Sequence, residues 1–446
     1  MLDAKAGLVV GASSLELGNE RAEELINKAK EQLENCGIKI AKGRKVIWDS
    51  ADAIEVAEQL AQEAIDLLII LHATWVPDTI QYILVNTLKA PAVLWAVPFQ
   101  ETFSIASVQH FGSILSERQT FYKYVYGLPE DEIVISKIND FALASKVAKD
   151  LNKAKIGLIG PRQTWRVAGA QDMTSEEWDL TDLSGTKIIH VEMDEIIEQA
   201  KGKSKKEAEE VLQNMKENNK VGKVEIDEER LIYACKIYLG IKDIFKKYKL
   251  TGAAAECYPN YSGLTNLPAS WLADEDITLD TEGDVGHVML MDIVRWLGKG
   301  GAVALSEAAK LDLKDNCIWL AHEGSSAFSL AETPDSVHLL EGGNEGVVVA
   351  FPLKSFEQVT MASLVGKKDT YRMLIGKGKT KHITEKEWID AGKRFVAKLR
   401  FDCDVDEAYG RILSLGIDHH LLIKEGDITS RLCDICDLLR IKKVYL

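Results

Sequence analysis

Short apolar runs alternate with helical repeats through the first 150 residues. GLVVGA (7–12) precedes the helical NERAEELINKAKEQLENCG, and KVIWDS precedes a helix predicted over 51–64. DLLIILHA (66–73) then leads to a helix over 77–88, and that to PAVLWAV (91–97). Strands alternating with helices predict βαβ units and a parallel sheet. A second round runs from KAKIGLIGP (153–161) through TKIIHVE, a long helix over 227–247, GAAAEC and DITLDTEGD (276–284). Beyond residue 300 the pattern changes to closely spaced strands: GAVALSE, NCIWLAHEG, SVHLLEGG, GVVVAFPLK, QVTMASLVG, TYRMLIGKG and RFVAKLRFD. The expected fold is α/β, with two successive open parallel-sheet (Rossmann-like) domains followed by a mainly antiparallel β-barrel or sandwich. Domain boundaries are expected to divide the chain into 1–153, 154–300 and 301–446.

Composition narrows the function. The 446 residues carry 46% hydrophobic and 28% charged side chains, as ordinary globular proteins do. A formal net charge of −15 opposes general binding of polyanions, so nucleic acid is not an expected partner. No run reaches about 18 apolar residues, and MLDAKAGLVVGASS lacks a signal-peptide pattern, so a cytoplasmic protein without a membrane partner is expected. Seven scattered cysteines suit reduced thiols, and Cys433 and Cys436 fall in the helical repeat ITSRLCDICDLLRI, which reads as a packed face. Neither α/β round carries a phosphate-binding glycine motif, so no nucleotide site is expected. The charged segment 201–220 reads as a solvated helix face.

Chemistry gathers at the ends of apolar runs. In DTEGDVGHVML (280–290), Val285, Val288, Met289, Ile293, Trp296 and Leu297 recur at helical spacing, which makes Asp284 the natural N-cap. Glu282 follows the alternation of ITLDT and so stands at the carboxyl end of a strand, where open α/β sheets hold ligands. AVALSE ends its run on Glu307, NCIWLAHEG ends on His322, and SLGIDHHLLI sets His419 and His420 ahead of another run. A solitary histidine is ordinarily structural, the reading for His72, His110, His190, His287, His338 and His382. Two carboxylates and two imidazoles would suit a divalent ion such as Mn²⁺, Co²⁺ or Mg²⁺ with positions left for substrate oxygens.

The order of these features resembles the L-arabinose isomerase and L-fucose isomerase family of metal-dependent aldose–ketose isomerases, along nearly the whole chain. GLTNLPASWLADEDITLDTEGDVGHVMLMDIVRWL is similar to the family's Leu-Pro segment leading to an E-G-D turn and helix, and HATWVPDTIQYILVNTLKAPAVLW to its first-domain segment. The resemblance implies metal binding by Glu282, Glu307, His322 and His420, with Ser306 the adjacent choice for the second position. It implies catalysis by Glu282 and Glu307 through a cis-enediol(ate), with Mn²⁺ as the foremost cofactor. Trp165 and Tyr258 fall where the family lines its pocket, and Glu256 is a further acid at a strand end. A monosaccharide substrate and a homo-oligomer, trimer or hexamer, are implied. The chain departs from the arabinose branch where GASSLELG replaces a Gln-His-Leu-Tyr-Gly loop and LSEAAKLD replaces a Met-Glu-Asp-Tyr setting, so L-arabinose does not carry over. Epimerisation at the same metal site and non-catalytic sugar binding are the alternatives.

Overall fold

The computed structural model describes residues 3–43, 45–160, 176–218, 221–257, 260–323, 326–343 and 346–446, and the backbone of residue 219. The chain forms two compact units: residues 1–150 with 433–439, and residues 151–432 with 440–446. The fold class matches the expectation, with parallel α/β sheets followed by a β-rich region.

The first unit is built on β1 (Lys5–Gly11), β2 (Lys39–Ile40), β3 (Lys45–Ile47), β4 (Leu67–His72), β5 (Ala92–Ala96) and β6 (Tyr122–Tyr126). Its order is β2-β1-β4-β5-β6 with β3 also on β1, and every pairing is parallel. The central strand β4 is LLIILH, buried at every position. That continuous apolar reading, without alternation, follows from helices covering both faces of a parallel sheet. Local signals place the helices, as where Asp49 caps Ser50–Ala61 by accepting from the backbone N–H groups of Ala51 and Asp52. The segment 433–439 adds Leu438 to this core and buries Asp434, which pairs with Lys123. Cys433 and Cys436 lie on the helix Thr429–Leu439, whose Leu432, Ile435 and Cys436 are buried, as the helical repeat predicted.

In the second unit, β7 (Lys155–Ile159), β8 (Lys187–Val191), β9 (Lys223–Glu225), β10 (Gly252–Ala255) and β11 (Thr278–Asp280) precede the β-rich region. Four of them form a parallel sheet in the order β11-β10-β7-β8. The remaining strands are β12 (Val303–Asp312), β13 (Cys317–His322), β14 (His338–Gly342), β15 (Gly346–Ala350), β16 (Val359–Val365), β17 (Arg372–Thr380), β18 (Phe395–Phe401), β19 (Leu421–Glu425) and β20 (Lys442–Tyr445). Six of these pair antiparallel in the order β16-β19-β12-β13-β18-β17, and β17 pairs back onto β16. The sheet is therefore a closed barrel, which removes exposed edges except where β20 joins β17 in parallel. SVHLLEGG and GVVVAFPLK stay out of the barrel: β14 and β15 form a hairpin whose free edge pairs with β9.

One continuous hydrophobic core joins the parallel sheet to the barrel, from Ile159 and Ala253 to Leu320, Met361 and Phe395. The helix Val285–Leu297 packs on β10 and β11 and also against β16, β12 and β19. It is buried along nearly its whole length, as its all-round apolar sequence requires. Its first turn thus lies where the sheet meets the barrel.

His72, the last residue of β4, is fully buried, and neither ring nitrogen has a hydrogen-bond partner among the described residues. Burial outweighs the neighbouring Gln81 side chain and pushes the imidazole down to about 4. In the unfolded chain it titrates near 6.5, so between about pH 6.5 and 4 the unfolded state binds a proton that the folded state does not. Stability is therefore lost as pH falls through that window, by about 3 kcal/mol at the acid end. His72→Leu should flatten this part of the pH dependence in urea unfolding of the whole chain. An identical wild-type and variant slope between pH 6.5 and 4 would contradict it.

Candidate metal centre

The turn between β11 and the helix Val285–Leu297 is built by its own acids. Asp280 ends β11 wholly buried, and its Oδ1 accepts from the backbone N–H groups of Glu282 and Asp284, each at 2.9 Å. Gly283 takes φ +81°, a left-handed conformation that lets the chain reverse within two residues. Asp284 then caps the helix as predicted, its Oδ1 accepting from Gly286 N at 3.0 Å and His287 N at 3.1 Å. Glu282, between the two aspartates, is left to project from the strand end. Burial pushes the Asp280 carboxyl up to about 6.

The barrel supplies the facing groups. Glu307 lies on β12 opposite Ala321 of β13, so it neighbours His322, the last residue of that strand. The apolar run does end at Glu307, yet the strand continues to Asp312, with a register shift between Ala308 and Lys310. Beyond Glu307 the strand goes on with Ala309 and Lys310 exposed and Ala308, Leu311 and Asp312 partly buried, so the wholly buried run ends before the strand does. Ser306 points the other way and donates to the Leu421 carbonyl at 2.7 Å, which leaves Glu307 as the carboxylate facing the cluster. His420 stands immediately before β19, held beside β12 by the Ser306–Leu421 register.

These four side chains meet. Ligand atoms of Glu282, Glu307, His322 and His420 all lie within 4.8 Å of one another. His420 Nε2 is 3.1 Å from Glu282 Oε2 and 3.8 Å from Glu307 Oε1, and His322 Nε2 is 3.7 Å from Glu282 Oε1. An ion with ligands at about 2.1 Å separates neighbouring donors by roughly 3.0 Å and opposite donors by about 4.2 Å, so the set fits a divalent cation. His322 and His420 are buried, while the Glu307 side chain is 41% exposed and opens the cluster to solvent. Burial works to raise the Glu282 carboxyl, but the hydrogen bond from His420 and the charges of His322, His420 and His419 hold it down to about 2. Burial likewise opposes the charged form of His420, yet Asp284 and Glu282 raise its imidazole well above the ordinary range.

Three further groups adjoin the cluster. His419 lies 3.4 Å from Glu307 through Nε2, hydrogen-bonds Asp418 through Nδ1 and lies beside His420 with ring centroids 4.2 Å apart and planes tilted by 36°. Asp284 Oδ2 is 3.0 Å from His420 Nδ1 and 2.7 Å from His287 Nδ1. These three groups also have the spacing of a metal site, but N–H to carboxylate hydrogen bonds account for it. His287, read from sequence as an ordinary structural histidine, therefore belongs to the surroundings of the centre. Its signal was the Asp-x-x-His spacing in a helix's first turn, where both residues share one face. Glu256, at the carboxyl end of β10, is buried with its carboxyl raised by desolvation and by Glu192. Trp165 and Tyr258 lie outside the described residues.

No profile of a known protein family matches the chain. Individual relatives do. The sulfoquinovose isomerase of Priestia aryabhattai is 21% identical over 454 residues, covering 96% of this chain and 96% of that protein. The sulfoquinovose isomerase of Clostridium sp. (strain MSTE9) is 24% identical over 336 residues, covering 73% and 72%. That of Alkalicoccus urumqiensis is 19% identical over 425 residues, covering 90% of each. Among solved structures, an ABC transporter solute-binding protein from Burkholderia multivorans aligns with 66% of this chain and 92% of its own at 16% identity, with a TM-score of 0.19. The likeness to relatives that share one activity over most of the chain supports a coarse conclusion: the chain is an enzyme, a sugar isomerase.

Proposed function

We propose that the chain is a divalent-metal-dependent aldose–ketose isomerase in the manner of the L-arabinose and L-fucose isomerases, with Glu282, Glu307, His322 and His420 as metal ligands and Glu282 and Glu307 as the catalytic pair. The observation that carries this reading is the meeting of those four side chains, drawn from one sheet end and three barrel strands, within 4.8 Å. Interconversion of an aldose and a ketose moves a proton between C1 and C2 through an enediol(ate). A bound divalent ion would supply Lewis-acid polarisation of the substrate oxygens, which lowers the barrier to removing a proton α to the carbonyl.

The protein's own groups divide the remaining work. Glu282, held ionised by its histidine neighbours, and Glu307, reached from solvent, are the two carboxylates able to take the proton from one carbon and return it to the next. His322 and His420, both buried, would hold the ion, and the more exposed Glu307 and His419 would meet the sugar. The relatives' shared name makes sulfoquinovose the foremost substrate to assay, and Mn²⁺ the foremost ion, with Co²⁺ and Mg²⁺ as substitutes.

A homo-oligomer, trimer or hexamer, is part of the proposal. Leu15 and Leu17 in the loop after β1 and Phe103 and Ile105 in the segments after β5 are each more than half exposed at the carboxyl edge of the first sheet. Apolar side chains gathered on one edge suit burial against a second copy. Light scattering on the eluting protein should give a trimer or hexamer, and an active monomer would overturn this part.

The decisive assay incubates metal-free protein with sulfoquinovose, L-arabinose, L-fucose and other aldoses, with and without Mn²⁺. Ketose should form from at least one sugar with Mn²⁺ and stop on chelation. Glu282→Gln and Glu307→Gln should each lower kcat/KM by at least about 10²-fold. Epimer in place of ketose would replace the proposed reaction, and normal turnover by both variants would overturn the catalytic pair.

A further inference from the structure

We infer that His287 is a positioning residue for the candidate metal centre, holding His420 at two separate points. The inference rests on the metal-centre reading above and goes beyond its ligand set. His287 is wholly buried in the first turn of the helix Val285–Leu297. One ring nitrogen, Nδ1, lies 2.7 Å from Asp284 Oδ2. The other, Nε2, lies 2.9 Å from the main-chain carbonyl of His420 and 3.2 Å from Ser363 Oγ. Each ring nitrogen thus has an oxygen partner within hydrogen-bond distance, a carboxylate on one side and a carbonyl with a hydroxyl on the other.

The two bonds converge on a single residue. At Nε2 the ring fixes the main chain just before β19. At Nδ1 it fixes Asp284, whose same Oδ2 atom is 3.0 Å from His420 Nδ1. An imidazole can turn about its Cβ–Cγ bond, and in His420 the partner at Nδ1 sets that angle. With Nδ1–H committed to Asp284, Nε2 is aimed at Glu282 and Glu307. Carboxylates that bind the second nitrogen of a metal-binding histidine fix its tautomer and orientation in this way. Here the carboxylate is itself steered by His287.

A purely structural role would need less. Helix capping uses only Asp284 Oδ1, and it is complete through Gly286 N and His287 N without the His287 ring. The ring's own contacts are instead to the residue that presents Nε2 to the cluster and, through Ser363, to β16. The Asp-x-x-His spacing marks only the contact with Asp284; the contacts with Ser363 and His420 are unmarked in the sequence, because those partners stand 76 and 133 positions away.

Mn²⁺ alone, titrated into metal-free protein and followed by the electron paramagnetic resonance of the free ion, tests the inference without turnover. His287→Leu should weaken Mn²⁺ binding 10- to 100-fold, the range seen when such outer partners are removed. His287→Gln, which keeps one donor, should lose less, and it serves if the leucine variant does not fold. Unfolding temperatures of the metal-free variants keep a loss of fold apart from a loss of site. In a His420→Gln background the His287 substitution should cause no further loss, since its route runs through His420. Wild-type affinity in folded His287 variants would overturn the positioning role while leaving the centre intact, and so would an equal loss in the His420→Gln background. Wild-type protein that binds no Mn²⁺ would remove the centre, and the inference with it.

Discussion

The carboxylate of Asp284, taken entirely out of water, is the constraint around which the second unit is organised. Removing an ion of that size from water costs several kcal/mol even after relaxation, and the penalty is offset only where donors meet it closely. Burial works against the charge here, but His287 and His420 hold the carboxyl far below the usual carboxylate range. Four N–H groups surround it: two backbone donors of its own helix, the His287 ring and the His420 ring. The last comes from the segment before β19, so a stable Asp284 requires the barrel to be seated against the helix start. That requirement also sets Glu282, two residues earlier, beside His420.

Much of this arrangement was legible in the chain because it depends on local rules. The helix start at Asp284 follows from a capping residue ahead of a 3.6-residue repeat. Glu282 was legible because a period-two run ends just before it, and His322 and His420 because each borders an apolar run. The two rounds of parallel sheet were equally plain, since strands such as LLIILH are buried on both faces and read as unbroken apolar runs. Glu307 was found for a partly mistaken reason. The wholly buried run stops there because the strand's outer half is partly open to water, not because the strand stops.

What stayed hidden is long-range pairing. No periodicity tells that β14 and β15 leave the barrel to pair with β9, because a hairpin is equally apolar in either sheet. Nor does composition reveal that residues 433–439 build into the first unit while β20, only a few residues later, pairs with β17 in the second. His287 was hidden for a related reason. A histidine two residues inside an apolar helix face looks like packing until its partners are known, and those partners arrive from β16 and from the residue before β19. Spacing alone could not show that Glu282, Glu307, His322 and His420 converge; the resemblance to a family of isomerases implied it, and their side chains do meet within 4.8 Å.

Charge bears on which sugar the site accepts. A net charge of −15 opposes the approach of any anionic sugar, yet at physiological salt that field decays over about 8 Å, so groups at the mouth decide. Close to the cluster lie Glu282, held ionised by its histidine neighbours, and the buried carboxylate of Asp284. On the proposed reading a divalent ion would act on the oxygens at C1 and C2 alone. Discrimination at the other end of the sugar must come from groups outside the metal cluster. The loop after β1, where this chain has GASSLELG in place of the arabinose branch's Gln-His-Leu-Tyr-Gly, is one of two places where it departs from that branch. That departure leaves the four ligands of the proposal untouched, the pattern expected where the sugar changes and the reaction does not.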